Sequence, residues 1–161
     1  MITFSQKRFF INKKHSIEEE CPEILKMKEY PQHGNTSTYK HCEVVSYLCY
    51  KYAIEHNVNV DMDALIRGSL LHDFYLYDWH SPTGHHKLHG FSHPRVAMEN
   101  AKKYFPDLSD KEANMIRSHM WPLTLLHIPT SKEAAILAMT DKYCSTMETF
   151  KLNSPNKNHK L

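Results

Sequence analysis

Apolar residues recur at intervals of three and four along five stretches of the chain, as in helices with one face turned inward. The first spans about Thr38 to His56, where Val45, Leu48, Cys49, Tyr52 and Ala53 form one stripe. The second runs from about Asp61, a residue suited to cap a helix start, to Leu71, with Leu65, Ile66, Ser69 and Leu70 on its inner side. The third opens at His93-Pro94, proline being suited to a first helical position, carries Ala97, Ala101 and Tyr104 inward, and stops at Pro106. The fourth begins at Ser109-Asp110-Lys111-Glu112, a capping-box pattern behind Leu108, and ends at Trp121-Pro122. The fifth follows Pro129, where Thr130 and Glu133 predict another capping box and Ala134, Leu137, Ala138 and Asp141 share a face.

Strand-like alternation is scarce and there are only four glycines, so the expected class is all-α. The pattern predicts one domain over residues 1–161, a bundle of five core helices (about 38–148) with peripheral segments at 1–14 and 152–161. A weaker pattern over Ile17–Lys28 is compatible with a helix or a strand. Tyr75–Ser92 has no clear period, holds His80, His85, His86 and His89, and is expected to be a long functional loop.

Composition narrows the function classes. A chain of 161 residues with 41% hydrophobic and 24% charged residues is an ordinary globular domain, not a disordered one. A formal net charge of +2, with basic residues scattered among acids, argues against a nucleic-acid binder. No run reaches the roughly 18 apolar residues of a membrane span. Phe9-Phe10-Ile11 is too short for a signal-peptide core of about 7–15 residues, so a cytoplasmic location is expected. The four cysteines form no Cys-x-x-Cys pair, which fits a reducing compartment. Cys42 and Cys49, seven apart on one helix, read as small core residues.

The abnormal count is 13 histidines, and their positions matter more than their number. His41 lies four residues before Val45, and His93 four before Ala97. His119 shares a face with Ile116 and Met120, His72-Asp73 ends the second apolar face, and Asp141 continues the fifth. Five helices therefore each bring an imidazole or a carboxylate to an inward side. Each such group left buried without a partner costs roughly 1–3 kcal/mol. Convergence on metal ions satisfies all of them at once. Adjacent side chains near a helix end point about 100° apart, so His72 can bind one ion while Asp73, with two oxygens, reaches toward another.

The order His41, His72-Asp73, Asp141 resembles the signature of the HD superfamily of metal-dependent phosphohydrolases. The strings Leu70-Leu71-His72-Asp73 and Met139-Thr140-Asp141-Lys142 strengthen the likeness, which covers about Thr38 to Glu148. The resemblance implies an all-helical bundle with a buried site, roofed by the segment His80–Ser92. Two-metal members add two histidines, and His93 and His119 stand where those fall. Carried over, His41, His72, Asp73 and Asp141 would hold a first metal, and Asp73, His93 and His119 a second. The chain departs from some subfamilies, with Leu76 three residues after Asp73 and no Gly-Tyr-Pro motif. The machinery of those specialised members is therefore not carried over.

The function implied is hydrolysis of a phosphate ester, nucleotide or other phosphomonoester or diester, by a metal-activated water. The expected cofactor is one or two divalent transition-metal ions, the imidazole-rich set suiting Fe, Mn, Zn or Ni better than Mg. Candidate catalytic groups are Asp73, His86 and Lys142, with His80 and His89 as further candidates for the acid that protonates the leaving oxygen. Candidate substrate-binding groups are His80, Lys87, His89, Arg95 and Trp121. The expected partner is a small phosphate ester, with no membrane; the oligomeric state stays open. Two other readings remain: a di-iron oxygenase of the same fold, and a non-catalytic metal or nucleotide sensor.

Overall fold

The computed structural model describes residues 1–33, 35–81 and 88–150. Six α-helices occur among them: α1 (Phe4–Glu20), α2 (Thr38–Glu55), α3 (Met62–Leu70), α4 (His89–Tyr104), α5 (Asp110–Ser118) and α6 (Lys132–Thr149). Between α1 and α2 lie a 3₁₀ segment (Pro22–Glu29) and two short antiparallel strands, β1 (Pro31–His33) and β2 (Thr36–Ser37). The class is all-α, as the periodicity predicts. No helix among the described residues is long and apolar enough to cross a membrane.

Helix α2 sits at the centre. Its expected single stripe understates its burial, because Tyr39, Cys42, Val44, Val45, Tyr47 and Tyr50 are all enclosed. It packs against α3, α6 and the 3₁₀ segment, while α5 packs against α3, α4 and α6. A helix covered on most sides needs apolar residues most of the way round. One part of the core gathers Phe10, Ile24, Met27, Leu70, Phe74 and Phe105; the other gathers Val44, Val45, Leu65, Met115 and Leu137.

Residues 1–14, expected as a peripheral segment, belong mostly to α1 and contribute to the core. Helix α1 opens with a capping box between Thr3 and Gln6 and buries Phe10 completely, edge-on to Tyr47 at 5.3 Å between ring centroids. Lys14 donates to Glu43 of α2 at 2.7 Å, so α1 is fastened by charge as well as by packing. Its apolar positions are too sparse to make a stripe, which is why the pattern missed it. The weaker signal at Ile17–Lys28 resolves into the end of α1 and the 3₁₀ segment.

Beyond α1, four helix starts carry the caps that a helix's unpaired N–H groups require. Ser37 accepts from Lys40 N, Asp61 from Ala64 N at 3.0 Å, and Ser109 forms the full capping box with Glu112. Helix α6 is capped by Ser131, not Thr130, with Ser131 Oγ accepting from Ala134 N at 3.1 Å. Glu133 turns away instead and accepts from Asp61 N at 2.8 Å, tying α6 to the start of α3. Helix α4 begins at His89, four residues earlier than expected, so Pro94 lies inside it. Its missing N–H removes the bond to the Gly90 carbonyl, in the first turn of the helix. The stretch Tyr75–Ser92 is consequently not loop throughout.

A candidate metal centre

The fold places six side chains from five elements at one point. His41 comes from the first turn of α2, His93 from α4 and Asp141 from α6. His119 caps the end of α5, and His72-Asp73 occupy the turn that follows α3. All six are buried, with His41 and His72 fully enclosed.

Backbone carbonyls fix three of the histidines. The Nδ1 atoms lie 2.7 Å from carbonyl oxygens about one turn earlier: His72 on Ser69, His93 on His89, and His119 on Ile116. A carbonyl only accepts, so each Nδ1 carries a proton and, in the neutral ring that a metal requires, each Nε2 presents the lone pair. His41 is held differently, its Nδ1 lying 3.0 Å from a carboxylate oxygen of Glu148. Four Nε2 atoms thus face inward together with the oxygens of two aspartates.

Those donors form two groups sharing Asp73. Around Asp141 Oδ1 lie His41 Nε2 at 3.0 Å and His72 Nε2 at 3.5 Å. Asp73 Oδ2 approaches the same two nitrogens at 3.9 and 3.5 Å. Its other oxygen, Oδ1, lies 3.2 Å from His93 Nε2 and 3.4 Å from His119 Nε2. For bonds of about 2.1 Å, neighbouring ligands of one ion stand about 3.0 Å apart in an octahedron and about 3.4 Å in a tetrahedron. Five of the six spacings lie within about 0.2 Å of those edges, and only His41 to Asp73, at 3.9 Å, is longer.

Two further observations call for a cation. His93 Nε2 and His119 Nε2, both lone-pair bearers by the argument above, face each other at 2.8 Å. His72 Nε2 and Asp73 Oδ1 are buried without a hydrogen-bond partner. A divalent ion in each group answers both, and the groups His41–His72–Asp141 and Asp73–His93–His119 each have the geometry to hold one. A third trio, Cys42 with His72 and Asp73, comes equally close, so Cys42 is a neighbour of the site as well as a core residue.

Without an ion the groups hold one another by charge. Burial disfavours ionised Asp73 and Asp141, yet the surrounding histidines keep both carboxyls well below the usual range. Burial also opposes a charged His41, but Asp141 and Glu148 outweigh it and push its pKa up to about 10. His119 goes the other way: burial lowers its pKa, and Asp73 only partly restores it.

A cavity of about 740 Å³ opens onto Asp73, His93, His119 and Asp141. Besides Asp73, two of the substrate and catalytic candidates line it. His89 stacks on His93 at 4.5 Å and on Trp79 at 4.9 Å between ring centroids. Lys142 donates its ammonium to the carbonyls of His119 and Ala138 at 2.9 and 3.1 Å. Burial lowers the Lys142 pKa, with Asp141 opposing.

Three candidates stand elsewhere, and His86 and Lys87, like His85, lie outside the described residues. Arg95 is exposed and paired with Glu99 at 2.9 Å, one turn along α4. His80 is exposed, stacked on Trp79 and bonded through its backbone N–H to Asp78. Trp121 neither packs in the core nor faces the cavity. It is 41% exposed and lines a separate apolar groove with Ile128 and Pro129. The reason is Trp121-Pro122 itself, which turns the chain out of α5 as soon as His119 has been delivered.

Sequence reasoning missed Gln32, Tyr75 and Glu148. Gln32 Nε2 donates to Asp73 Oδ2 at 2.6 Å, and its amide oxygen accepts from the Tyr75 hydroxyl. Nothing in the irregular segment around Gln32 signals this. Glu148 had a signal, because it follows Asp141 by seven residues and so continues the same face of α6.

A family model described as HD domain matches residues 38–146. No curated protein and no solved structure matches the chain. The matched span runs from the first residue of α2 to within two residues of Glu148, and encloses all six converging side chains. The protein belongs to the HD-domain family of metal-dependent hydrolases.

Proposed function

We propose that the protein is a phosphohydrolase that cleaves a phosphate ester with two divalent transition-metal ions. His41, His72, Asp141 and Asp73 Oδ2 would hold one ion, and Asp73 Oδ1, His93 and His119 the other. The observation that carries this reading is the Asp73 carboxylate, which turns one oxygen to each group of donors. Ions bound there supply Lewis acidity toward phosphoryl oxygens and lower the pKa of water.

The chain's own residues supply the rest. Lys142 has three N–H donors and uses two on carbonyls, which leaves one for a phosphoryl oxygen as negative charge develops. Its position beside Asp141 sets that donor at the edge of the site. His89 is the described histidine placed to carry a proton to the leaving oxygen, since its ring lines the cavity against His93. Gln32, backed by Tyr75, orients Asp73, and Glu148 orients His41. Trp79 and the loop after α5 limit access of water from above.

The test is metal analysis of the purified chain with a hydrolysis screen. Stripped protein is expected to release no phosphate, and Mn, Zn, Fe or Ni to restore turnover of phosphate esters. Failure of every ester with every metal would defeat the proposal. An iron-loaded form that consumed oxygen and released no phosphate would put an oxygenase in its place.

A further inference from the structure

The cavity is far larger than a phosphoryl group requires. At about 740 Å³ it falls within the range that encloses a whole organic ligand. Its floor is the polar centre described above, and its wall is of another kind. Trp79, Met120, Pro122 and Leu123 face it, with Gly90 between them. A Cβ added at Gly90 would stand 3.3 Å from Leu123 Cδ2 and 3.9 Å from Met120 Cε, so the first turn of α4 lies directly against this apolar loop.

The polar side chains of the wall are mostly committed to partners inside the protein. Gln32 serves Asp73 and Tyr75, and Ser145 Oγ donates to Asp141 Oδ1 at 3.3 Å. His89 Nδ1 lies 3.2 Å from the Tyr77 hydroxyl, and Lys142 retains a single donor. Sugar hydroxyls or base edges placed here would exchange their water for carbon. A hydrocarbon would lose nothing. One remaining lysine donor among the described residues also suits one phosphoryl group better than a chain of them.

The apolar character continues past the rim. Leu88 and Phe91 flank Gly90 and are 67% and 53% exposed, while Leu123, Leu125 and Leu126 of the loop are 47%, 71% and 92% exposed. The close approach of Gly90 to Leu123 joins the two segments. Exposed apolar residues gathered beside a binding cavity mark a surface that meets apolar ligand.

We propose that the organic part of the substrate is an apolar alcohol carried on a single phosphoryl group, a hydrocarbon phosphate and not a nucleotide or sugar phosphate. This rests on the phosphohydrolase reading but can be measured apart from turnover. Manganese-loaded full-length protein is titrated calorimetrically with methyl-, butyl-, hexyl- and octylphosphonate, none of which can be hydrolysed at the P–C bond. Adenosine monophosphate and glucose 6-phosphate are titrated beside them. Affinity is expected to rise roughly two- to fourfold for each methylene, the upper value corresponding to complete removal from water. In Leu123→Ser, a change at a half-exposed position that leaves the core intact, the gain per methylene is expected to shrink. Equal affinity across the series, or tighter binding of the nucleotide or the sugar phosphate, would overturn the proposal. The corresponding alkyl phosphates, offered as substrates, separate the two readings. Rising affinity without phosphate release would keep the ligand class and remove the hydrolase, whereas release without chain-length preference would do the reverse.

Discussion

Glu148 gives the most direct test of how the centre is built, because its carboxylate is the partner of His41 on the side away from the aspartates. The bond from His41 Nδ1 to Glu148 Oε2 is 3.0 Å long, and both side chains are enclosed. A buried hydrogen bond to a charged group contributes about 1.5–3 kcal/mol. Glu148→Ala removes that bond, so metal affinity at the His41 group should fall roughly 10- to 100-fold. Glu148→Gln keeps an acceptor in the same place but without charge. Neutral bonds are about half as strong, so the expected loss is roughly tenfold or less.

The assay is competition with a chromophoric chelator, carried out in a His93→Ala background so that a single ion is titrated. The order expected is wild-type Glu148 tightest, then Gln, then Ala. Circular dichroism of the metal-free proteins confirms that helix content is unchanged. An alanine variant within twofold of the parent would refute the reasoning, as would a glutamine variant weaker than the alanine one. Either result would mean that α2 alone orients His41.

Other outcomes follow from the same geometry. Asp73→Ala is expected to remove both ions and all activity, since Asp73 contributes an oxygen to each group; full metal occupancy by elemental analysis would contradict the bridging role. His93→Ala should leave one ion per chain and lose most activity, and unchanged stoichiometry would remove the second site. Phe10→Ala should cost about 3–5 kcal/mol and lower Tm by roughly 6–20 °C, because Phe10 is wholly buried; a shift below about 3 °C would return α1 to the periphery. Burial raises the Glu43 pKa, but Lys14 and Lys40 outweigh it and hold it below its ordinary value of 4.5. A depressed carboxyl stabilises the fold above its unfolded value and ceases to as pH falls through the folded one. The urea midpoint of the parent should therefore exceed that of Glu43→Gln at neutral pH and converge with it in acid; a gap that widened in acid would refute the pairing.

The six converging side chains were legible because each lies on, or directly after, a helix with a strong apolar period, where a polar group on the inner face stands out. His41 before Val45 and Asp141 after Ala138 are read from spacing alone. The same rule failed where spacing was diluted. Helix α1 buries only Phe10 and Ile17, too few to mark a stripe, and Pro94 resembled a helix start because the preceding turn, His89 to His93, is polar and aromatic. Two of the substrate candidates stand away from the cavity for a different reason. Arg95 and Trp121 were chosen for their nearness in sequence to ligands, but a helix turns the neighbour of an inward residue about 100° away. Arg95, two residues after His93, consequently meets Glu99 and not the cavity.

Gln32 and Glu148 show what a ligand pattern leaves out. Each touches a ligand from behind, and each comes from the edge of the matched family span or beyond it, at residue 32 and at residue 148 against a span of 38–146. Metal-binding side chains are constrained by the ion and so recur in recognisable order. The groups that orient them need only reach one atom, and any element that passes nearby can supply it. In this chain the supply comes from a short irregular segment before α2 and from the last turn of α6, elements whose conformations are set by packing against α2 itself. The centre is thus held from both ends of the domain. Its rigidity depends on residues that no spacing rule around His72-Asp73 contains.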